Sequence, residues 1–551
     1  MKKFPTVLIL LAALSVFAQT AILRINGTAQ MTAGSISSSI FPNTVSTFYT
    51  SSVATNEYTG GIGIGTAPKS SNGQQAALQN LINQSVAVSN GTVIVDGCYT
   101  VAGLSLPGNA RIIGMNGGGF IQMNNACGAT LGNANWSSNG VVDTNIFISG
   151  LTVNVAMPYQ HGNSVVNTIC WETSSVSAYG IGYGRTSPNF SGAICGYLFA
   201  GVQGLTLTNC QVWDFDNKYS YGNYAFECFR ATNITVINCH MDAGMTNAYA
   251  TRGGDCIHFN GPTHGVTISG CVLRSTDDAI ALNADDGVGT NHPYFSGPGA
   301  TQYSPFYTGG EISDVTITNI FFDGAQAGIR LLSGADTIRN VTMDRLTGTV
   351  NEKLLGLNYY SSLVTWPFGN PLTSPNFTNI VFQNSTVTRT AGGGPNFQSN
   401  WGFIVAGQVD GDGTNFTAVT HIANLLFNNV LVETNTSAWM LATLGYCNGL
   451  TITNCYFKSW ANDGGASPWS YSKVTLDSGD RFLVISNRWA AFPGSSNSIT
   501  AFQFNGLGTN YGQETITNFT AIGNRGTNVS NFIWGAPFVN YTNTDNIFPT
   551  P

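Results

Sequence analysis

Charge is scarce in this sequence. Only 9% of the 551 residues are charged, with 20 Lys and Arg against 27 Asp and Glu. The basic residues are scattered singly, so no basic stripe predicts binding to nucleic acid. Beyond the N-terminus, no run reaches the roughly 18 consecutive apolar residues of a membrane-spanning helix. We therefore expect neither nucleic acid nor a membrane span, while the 43% of hydrophobic residues excludes a disordered chain.

Long amphipathic helices and zinc-binding cysteine pairs are also missing. The 11 cysteines show no Cys-x-x-Cys pair with the spacing of a zinc site, so we predict no metal and no cofactor. The 65 glycines, with Asn, Ser and Thr between short apolar runs, instead indicate a chain that turns often. The composition favours an all-β fold with a large core.

The N-terminus has the pattern of a secretory signal peptide. Lys2 and Lys3 precede an apolar run from Val7 to Leu14 and small residues that suit cleavage. We predict a signal peptide at 1–21, a Ser, Thr and Gly-rich linker or arm at 22–70, and one catalytic domain at 71–551. The expected product is a secreted or periplasmic bacterial monomer.

A short phrase of alternating apolar residues recurs along the chain. Its clearest copies are Leu205–Cys210, Ile234–Cys239, Val266–Cys271, Val315–Ile320 and Leu450–Cys455. Alternation is the periodicity of a strand, and its recurrence predicts a parallel β-solenoid whose coils stack on one another. A sandwich of antiparallel hairpins would need two-residue Asn-Gly turns between the strands, and these are absent there.

The repeat also predicts what each column of stacked residues does. Cys210, Cys239 and Cys271 should stack inside the solenoid as reduced, buried thiols. The Asn residues that close the phrase should share one corner, since Asn tolerates a left-handed backbone and can bond along the axis. These are Asn209, Asn238, Asn319, Asn384, Asn429 and Asn454.

A helical pattern precedes the first coil. In Gln74–Gln84, Ala77, Leu78, Leu81 and Ile82 have helical spacing, with Asn72 as a candidate N-cap. A short helix there would close the open end of the solenoid. The order of this helix, the strand at 91–99 and the Gly-Leu-Ser-Leu-Pro-Gly phrase at 103–108 resembles the start of pectate-lyase-like right-handed β-helix proteins. The predicted fold is thus a single-stranded right-handed parallel β-helix with a capping helix.

Three carboxylates converge when the coils are aligned. Gly-Asp-Cys-Ile at 254–257 superposes on Asp-Asp-Ala-Ile at 277–280, so Asp255 and Asp278, 23 residues apart, should stack with Asp277 beside them. Clustered carboxylates raise the proton affinity of one member, which separates an acid from a base. Inverting cleavage of a glycosidic bond needs such a pair about 6.5–9.5 Å apart. A lone Asp would more often be a turn former; stacked acids favour catalysis.

Strand alternation adds a second column. If Ile257, Ile280 and Ile329 point inward, His258 and Arg330 point outward beside the acids, with Glu227 one coil before. We predict that His258, Arg330 and Glu227 line a substrate groove. His258 could equally be a plain surface histidine, and Arg330 could equally balance the charge of the acids.

The acidic motifs are similar to those of glycoside hydrolase family 28, the polygalacturonases, and of relatives that cleave dextran and α-1,3-glucan. The resemblance covers about residues 72–390 and implies that Asp277 is the general acid, with Asp255 and Asp278 holding the attacking water. Two departures weaken polygalacturonate as the substrate. Ala327 stands where the family has the His of Gly-His-Gly, and no Arg-Ile-Lys motif follows.

Two long insertions and one acidic turn are further candidates. The aromatic residues Tyr294, Phe295, Tyr303, Phe306 and Tyr307 could form a lip for sugar rings or merely cover the solenoid, as could Tyr359, Tyr360 and Trp366. Asp285 and Asp286 are more typical of a turn than of a calcium site.

Secreted hydrolysis of a polysaccharide with inversion is the predicted function. A polysaccharide lyase on the same fold is one alternative, with Arg274 or Arg330 as base and Asp285 and Asp286 as calcium ligands. A non-catalytic carbohydrate-binding or surface solenoid is the other.

Overall fold

The computed structural model describes one solenoid and its N-terminal cap. The described residues are 33–35, 47–50, 72–87, 91–101, 103–122, 129–135, 141–154, 194–213, 223–243, 254–284, 310–333, 336–360, 376–390, 404–410, 421–434, 441–459, 472–490, 500–504, 516–529, 531–535 and 538–548. The predicted signal peptide lies outside them. Within this part of the chain no helix is long and apolar enough to cross a membrane.

The described chain has one helix and is otherwise built from strands. The helix is α1 (Asn72–Val86). The strands are β1 (Ala33–Ser35), β2 (Thr47–Thr50), β3 (Thr92–Val101), β4 (Leu104–Leu106), β5 (Arg111–Gln122), β6 (Ala129–Asn133), β7 (Asp143–Ser149), β8 (Thr152–Asn154), β9 (Ile194–Thr208), β10 (Gln211–Trp213), β11 (Asn223–Ile237), β12 (His240–Asp242), β13 (Gly254–Ser269), β14 (Val272–Arg274), β15 (Asp278–Asn283), β16 (Ile312–Ala325), β17 (Ala327–Ser333), β18 (Ile338–Val350), β19 (Leu355–Tyr360), β20 (Phe377–Arg389), β21 (Ile404–Asp410), β22 (His421–Thr434), β23 (Leu441–Thr453), β24 (Tyr456–Ser459), β25 (Ser472–Ile485), β26 (Arg488–Ala490), β27 (Thr500–Phe504), β28 (Ile516–Ile522), β29 (Arg525–Thr527), β30 (Asn531–Gly535) and β31 (Phe538–Thr544).

From β2 onward, the strands pair in parallel with the equivalent strands of neighbouring coils, which confirms the predicted right-handed parallel β-helix. The coils form three sheets. Sheet A contains residues 254–260, 278–283, 327–333 and their equivalents, sheet B contains 263–269, 312–318, 338–344 and theirs, and sheet C contains 272–274, 320–323, 346–350 and theirs. Inward-facing apolar side chains make one continuous core from Leu78 to Val529.

The helix α1 caps the first coil, as the sequence predicted. Leu78, Leu81 and Ile82 are buried against the core. The side chain of Gln79 donates to the carbonyl oxygen of Ser105 at 2.7 Å and accepts from its amide nitrogen at 2.8 Å. This amide therefore satisfies backbone groups of strand β4. Farther upstream, within the predicted arm at 22–70, β1 pairs antiparallel with β2, which adds to β3 in parallel.

The corner between sheets B and C is the predicted Asn corner. All six predicted Asn residues have a positive φ, between 50° and 55°. Along the corner, Asn429 donates to the side-chain oxygen of Asn384 at 2.9 Å, and Asn384 donates to Asp344 at 2.8 Å. A left-handed residue turns the chain there without an insertion, so this corner stays tight from coil to coil.

A second ladder, within sheet B near the end that follows sheet A, was not predicted. Asn340, Asn379 and Asn424 again have a positive φ, and each donates its amide to the residue one coil before, at 2.9–3.0 Å. The sequence does carry its signal, because an Asn, Gly or Asp stands directly before most of the recurring apolar phrases.

The predicted cysteine column is also present. The register places Cys210, Cys239 and Cys271 in successive coils, and all three are free and buried. Hydrogen bonds with the thiols of Cys210 and Cys271, together with burial, raise the pKa of Cys239 above its usual range. Because all three thiols are buried, these cysteines act as small core residues rather than as reactive groups.

Candidate active site

The two acidic motifs lie on the outer face of sheet A. Asp255 is near the start of β13, Asp277 directly precedes β15, and Asp278 begins it. Ile257 pairs with Ile280 and His258 with Ala281, which is the one-coil offset expected from the sequence. The amide nitrogen of Asp278 donates to Oδ1 of Asp255 at 3.0 Å, so the stacked acids are held in register.

The three carboxylates converge closely. One oxygen of each of Asp255, Asp277 and Asp278 lies within 4.8 Å of the others. This is less than the separation of about 6.5–9.5 Å expected of an inverting pair. A water molecule that bonds two oxygens at about 2.8 Å each can nevertheless bridge up to ~5.6 Å. The cluster is therefore tight, yet spaced to share a water molecule.

The three acids differ in exposure. Asp255 is 3% exposed and Asp278 is 1% exposed, while Asp277 is partly exposed. Asp277 is fixed through its backbone, since its amide nitrogen donates to the carbonyl of Gly254 and its own carbonyl accepts from the amide of Ala327. Of the three carboxyl groups, that of Asp277 is the most accessible to a large ligand.

The two buried acids each have a basic partner. His258 Nδ1 lies 2.7 Å from Oδ2 of Asp255. Arg330 Nε lies 2.8 Å from Oδ2 of Asp278. The hydrogen bond between His258 and Asp255 and the opposite charge of Arg330 near Asp278 stabilise carboxylates that would otherwise be costly to bury side by side. The charge-balancing alternative for Arg330 thus has direct geometric support.

His258 and Glu227 do not line an open groove, contrary to the sequence-based prediction. Both point outward and align one coil apart, as predicted, but each is only 1% exposed. Glu227 accepts from Asn260 Nδ2 at 3.3 Å and from Cys195 Sγ at 3.4 Å. Direct binding of substrate by these two residues therefore stays a prediction that their burial does not favour.

Sequence reasoning missed the amides that complete this network. Asn260 Oδ1 lies 3.1 Å from His258 Nε2, and Asn283 Nδ2 lies 3.3 Å from the same nitrogen. Asn260 pairs with Asn283 across the same 23-residue offset that aligns the acids. That repeated spacing was the available signal. The ring of Tyr224 lies 4.5 Å from the imidazole, centroid to centroid.

Other candidate residues are placed elsewhere or not described. Arg274 lies on sheet C and pairs with Asp323 at 2.5 Å and with Asp242 at 3.5 Å. Tyr359 and Tyr360 end β19. Asp285, Asp286, the aromatic residues predicted between 286 and 311, and Trp366 lie outside the described residues.

The long connections directly precede or follow strands of sheet A in the sequence. In the described coils, the corner between sheets B and C has no such connection. Between the end of a sheet C strand and the next sheet A strand, 155–193 and 244–253 intervene, and 285–309 follow sheet A in the coil of Asp278. Connections on a rigid scaffold are where binding residues concentrate.

Comparison with known proteins supports this fold and does not show a function. Neither a protein-family profile nor any curated protein matches the sequence significantly. Among solved structures, a double mutant of the tailspike protein of Escherichia coli bacteriophage HK620 matches with a TM-score of 0.51 at 11% identity, over 82% of this chain and 68% of that chain. Identity this low shows the fold alone.

Two other similar structures have different roles. The surface adhesin PfbA of Streptococcus pneumoniae has a TM-score of 0.47 at 10% identity, over 87% of this chain and 91% of its own. A family 28 exopolygalacturonase of Yersinia enterocolitica has 0.41 at 13%, over 76% of each chain. Because a fold does not determine a function, the function must be argued from the site.

Proposed function

We propose that the protein is a glycoside hydrolase that cleaves a polysaccharide by acid–base catalysis on sheet A. One observation carries the proposal: three carboxylates from two successive coils meet within 4.8 Å, with one accessible and two buried. Asp277, the accessible one, protonates the leaving glycosidic oxygen. Asp255 and Asp278 hold and activate the water that attacks the anomeric carbon.

Burial favours a water molecule over a carboxylate as the nucleophile. A covalent intermediate requires a carboxylate oxygen in contact with the anomeric carbon. At 3% and 1% exposure, Asp255 and Asp278 are much less accessible to a sugar than to water. The short separation alone would be closer to the ~5–5.5 Å typical of retention. We give burial more weight and propose inversion, which the configuration of the first product detected by NMR tests directly.

The basic partners favour acid–base chemistry over a cation site. Calcium takes about 6–8 oxygen ligands. Here the guanidinium of Arg330 and the imidazole of His258 already contact two of the three acids. A cation bound at the cluster would lie close to the positive charge of Arg330 and be repelled by it.

The experiment is a substrate panel with two chemical readouts. Mature protein is incubated with polygalacturonate, dextran, α-1,3-glucan and sulfated galactans, and new reducing ends and ultraviolet absorbance are measured, with and without a chelator. Hydrolysis predicts reducing ends without an absorbing product and without loss on chelation. An unsaturated, absorbing product would establish a lyase instead. Carbohydrate binding without any turnover would favour the surface-protein alternative.

A further inference from the structure

The imidazole of His258 is held on every side that can form a hydrogen bond. Nδ1 faces Asp255 at 2.7 Å, and Nε2 lies between the Asn260 oxygen at 3.1 Å and the Asn283 amide nitrogen at 3.3 Å. A neutral ring that donates from Nδ1 can accept from Asn283 at Nε2. A charged ring can donate from Nε2 to Asn260. Either form therefore keeps the Nδ1–H donor directed at Asp255.

Asp255 is held from two directions. Its Oδ2 faces His258 Nδ1, and its Oδ1 accepts from the amide nitrogen of Asp278. Two donors on different oxygens fix the plane of a carboxylate. The remaining lone pairs are then aimed at a constant position, which a water-holding carboxylate requires.

We propose that His258 is a positioning residue that orients Asp255 for water activation through the Nδ1–H···Oδ2 hydrogen bond. The inference rests on the proposed function, because it assigns Asp255 to the attacking water. His258 itself is 1% exposed and does not touch the sugar. It acts as the third group that orients a base, the same logic by which a buried partner orients the base of a catalytic triad.

Two substitutions separate positioning from packing. In His258→Asn, the side-chain amide nitrogen can take the place of Nδ1 and donate to Asp255, without a titratable ring. In His258→Leu, a side chain of comparable bulk fills the site without a donor. We expect His258→Leu to lower kcat about 10- to 100-fold, the range typical of losing a residue that orients a metal ligand. KM should stay within about two-fold, and His258→Asn should recover most of kcat.

A second measurement needs no substrate. With histidine labelled by ¹⁵N, the wild-type protein should show a protonated Nδ1 for the resonance that disappears in His258→Asn. That resonance should shift in Asp255→Asn and stay in place in Asp314→Asn, which changes an acid on sheet B. A deprotonated Nδ1, or a resonance indifferent to Asp255→Asn, would overturn the hydrogen bond and with it the proposal.

The outcomes separate the two proposals. If the wild type hydrolyses a panel substrate and His258→Leu keeps its kcat within about two-fold, the positioning role is wrong while the proposed function stands. Equal losses of kcat in His258→Leu and His258→Asn, with equal losses of thermal stability, would reduce His258 to a packing residue. If the wild type releases no reducing ends from the panel, the proposed function fails and the positioning role falls with it.

Discussion

Two columns of stacked residues in this solenoid follow the same register with opposite chemistry. At the corner between sheets B and C, Asn429 donates to Asn384, and an amide can repeat this from coil to coil because it both donates and accepts. On sheet A, Asp255 stacks on Asp278, and carboxylates have only acceptors. The Asn column stabilises itself, whereas the Asp column needs His258 and Arg330.

The difference teaches where to look for function in a repeat fold. Stacking of like residues is free of repulsion for amides and unfavourable for buried acids. A column that opposes stability and is supported by dedicated partners is better explained by chemistry than by architecture. Substitutions in the acid column should therefore change turnover, and those in the Asn column should change stability.

The largest expected effect is on turnover in Asp277→Asn. Loss of the proton donor should lower kcat by about 10² to 10⁴ while the coil is undisturbed, because the backbone bonds of this residue remain. The kcat of Asp255→Asn and the kcat of Asp278→Asn should fall by similar factors, because both residues hold the same water molecule. The measure is reducing-end release on the panel substrate.

Asp314→Asn is the matched control for those variants. Asp314 is exposed on sheet B at a φ of 60°, which Asn tolerates, and an amide oxygen can still accept from Asn340. Wild-type turnover is expected. If all three sheet A variants also kept wild-type turnover with unchanged folding, the acids would be structural corner residues.

The next effect is on stability when Arg330 is removed. Arg330→Gln leaves the 1% exposed Asp278 without its cation, and breaking such a buried pair typically costs about 3 kcal/mol. The denaturant midpoint should fall, and adding Asp278→Asn should restore part of the loss. No recovery in the double variant would show that the pair is not coupled.

Thiol reactivity tests how the core of the solenoid differs from the outer face of sheet A. Burial raises the pKa of Cys447 and of Cys455 to about 12, so both remain protonated thiols well above neutral pH. At pH 8 a thiol reagent should label neither in the native state. Urea-unfolded protein, in which all 11 cysteines react, is the reference. Fast native labelling of Cys455 would contradict its place in the core.

The smallest effect is expected in the Asn column. Asn429→Ala loses the ladder bond and places at a φ of 54° a residue that tolerates the left-handed region less well than Asn, for a cost of about 1–2 kcal/mol. Asn429→Gly loses the bond but tolerates the backbone, so it should cost less. Thermal unfolding measures both, and neither should change turnover. A drop in kcat in either variant would contradict the claim that the Asn column contributes to stability and not to turnover.

The sequence was sufficient for the register and the cap. A 23-residue offset aligned Asp255 with Asp278, and helical spacing placed the cap within Asn72–Val86. Both are local or periodic patterns, so they are visible without coordinates. The same is true of the Asn corner, since one residue type recurs at one position of the repeat.

The surroundings of the acids could not be predicted in this way. Cys256 and Ile257 are consecutive yet both face the core, so the chain bends between Asp255 and His258. Simple alternation does not show such a bend, which is what brings Asp255 and His258, three residues apart, to the same face. Burial of His258 and Glu227 depends on tertiary packing, which the periodicity of the sequence does not show. The prediction that His258 and Glu227 are exposed was therefore wrong, although both side chains point outward from the core as predicted.

The most direct test of the central claim is cleavage of the panel substrate in H₂¹⁸O, with mass spectrometry of the new reducing end for the wild type, Asp277→Asn and Asp314→Asn. The account predicts one labelled oxygen at the new anomeric carbon with the wild type and with Asp314→Asn, and little product with Asp277→Asn. Product lighter by one water and free of label, or equal labelled product from Asp277→Asn, would contradict it.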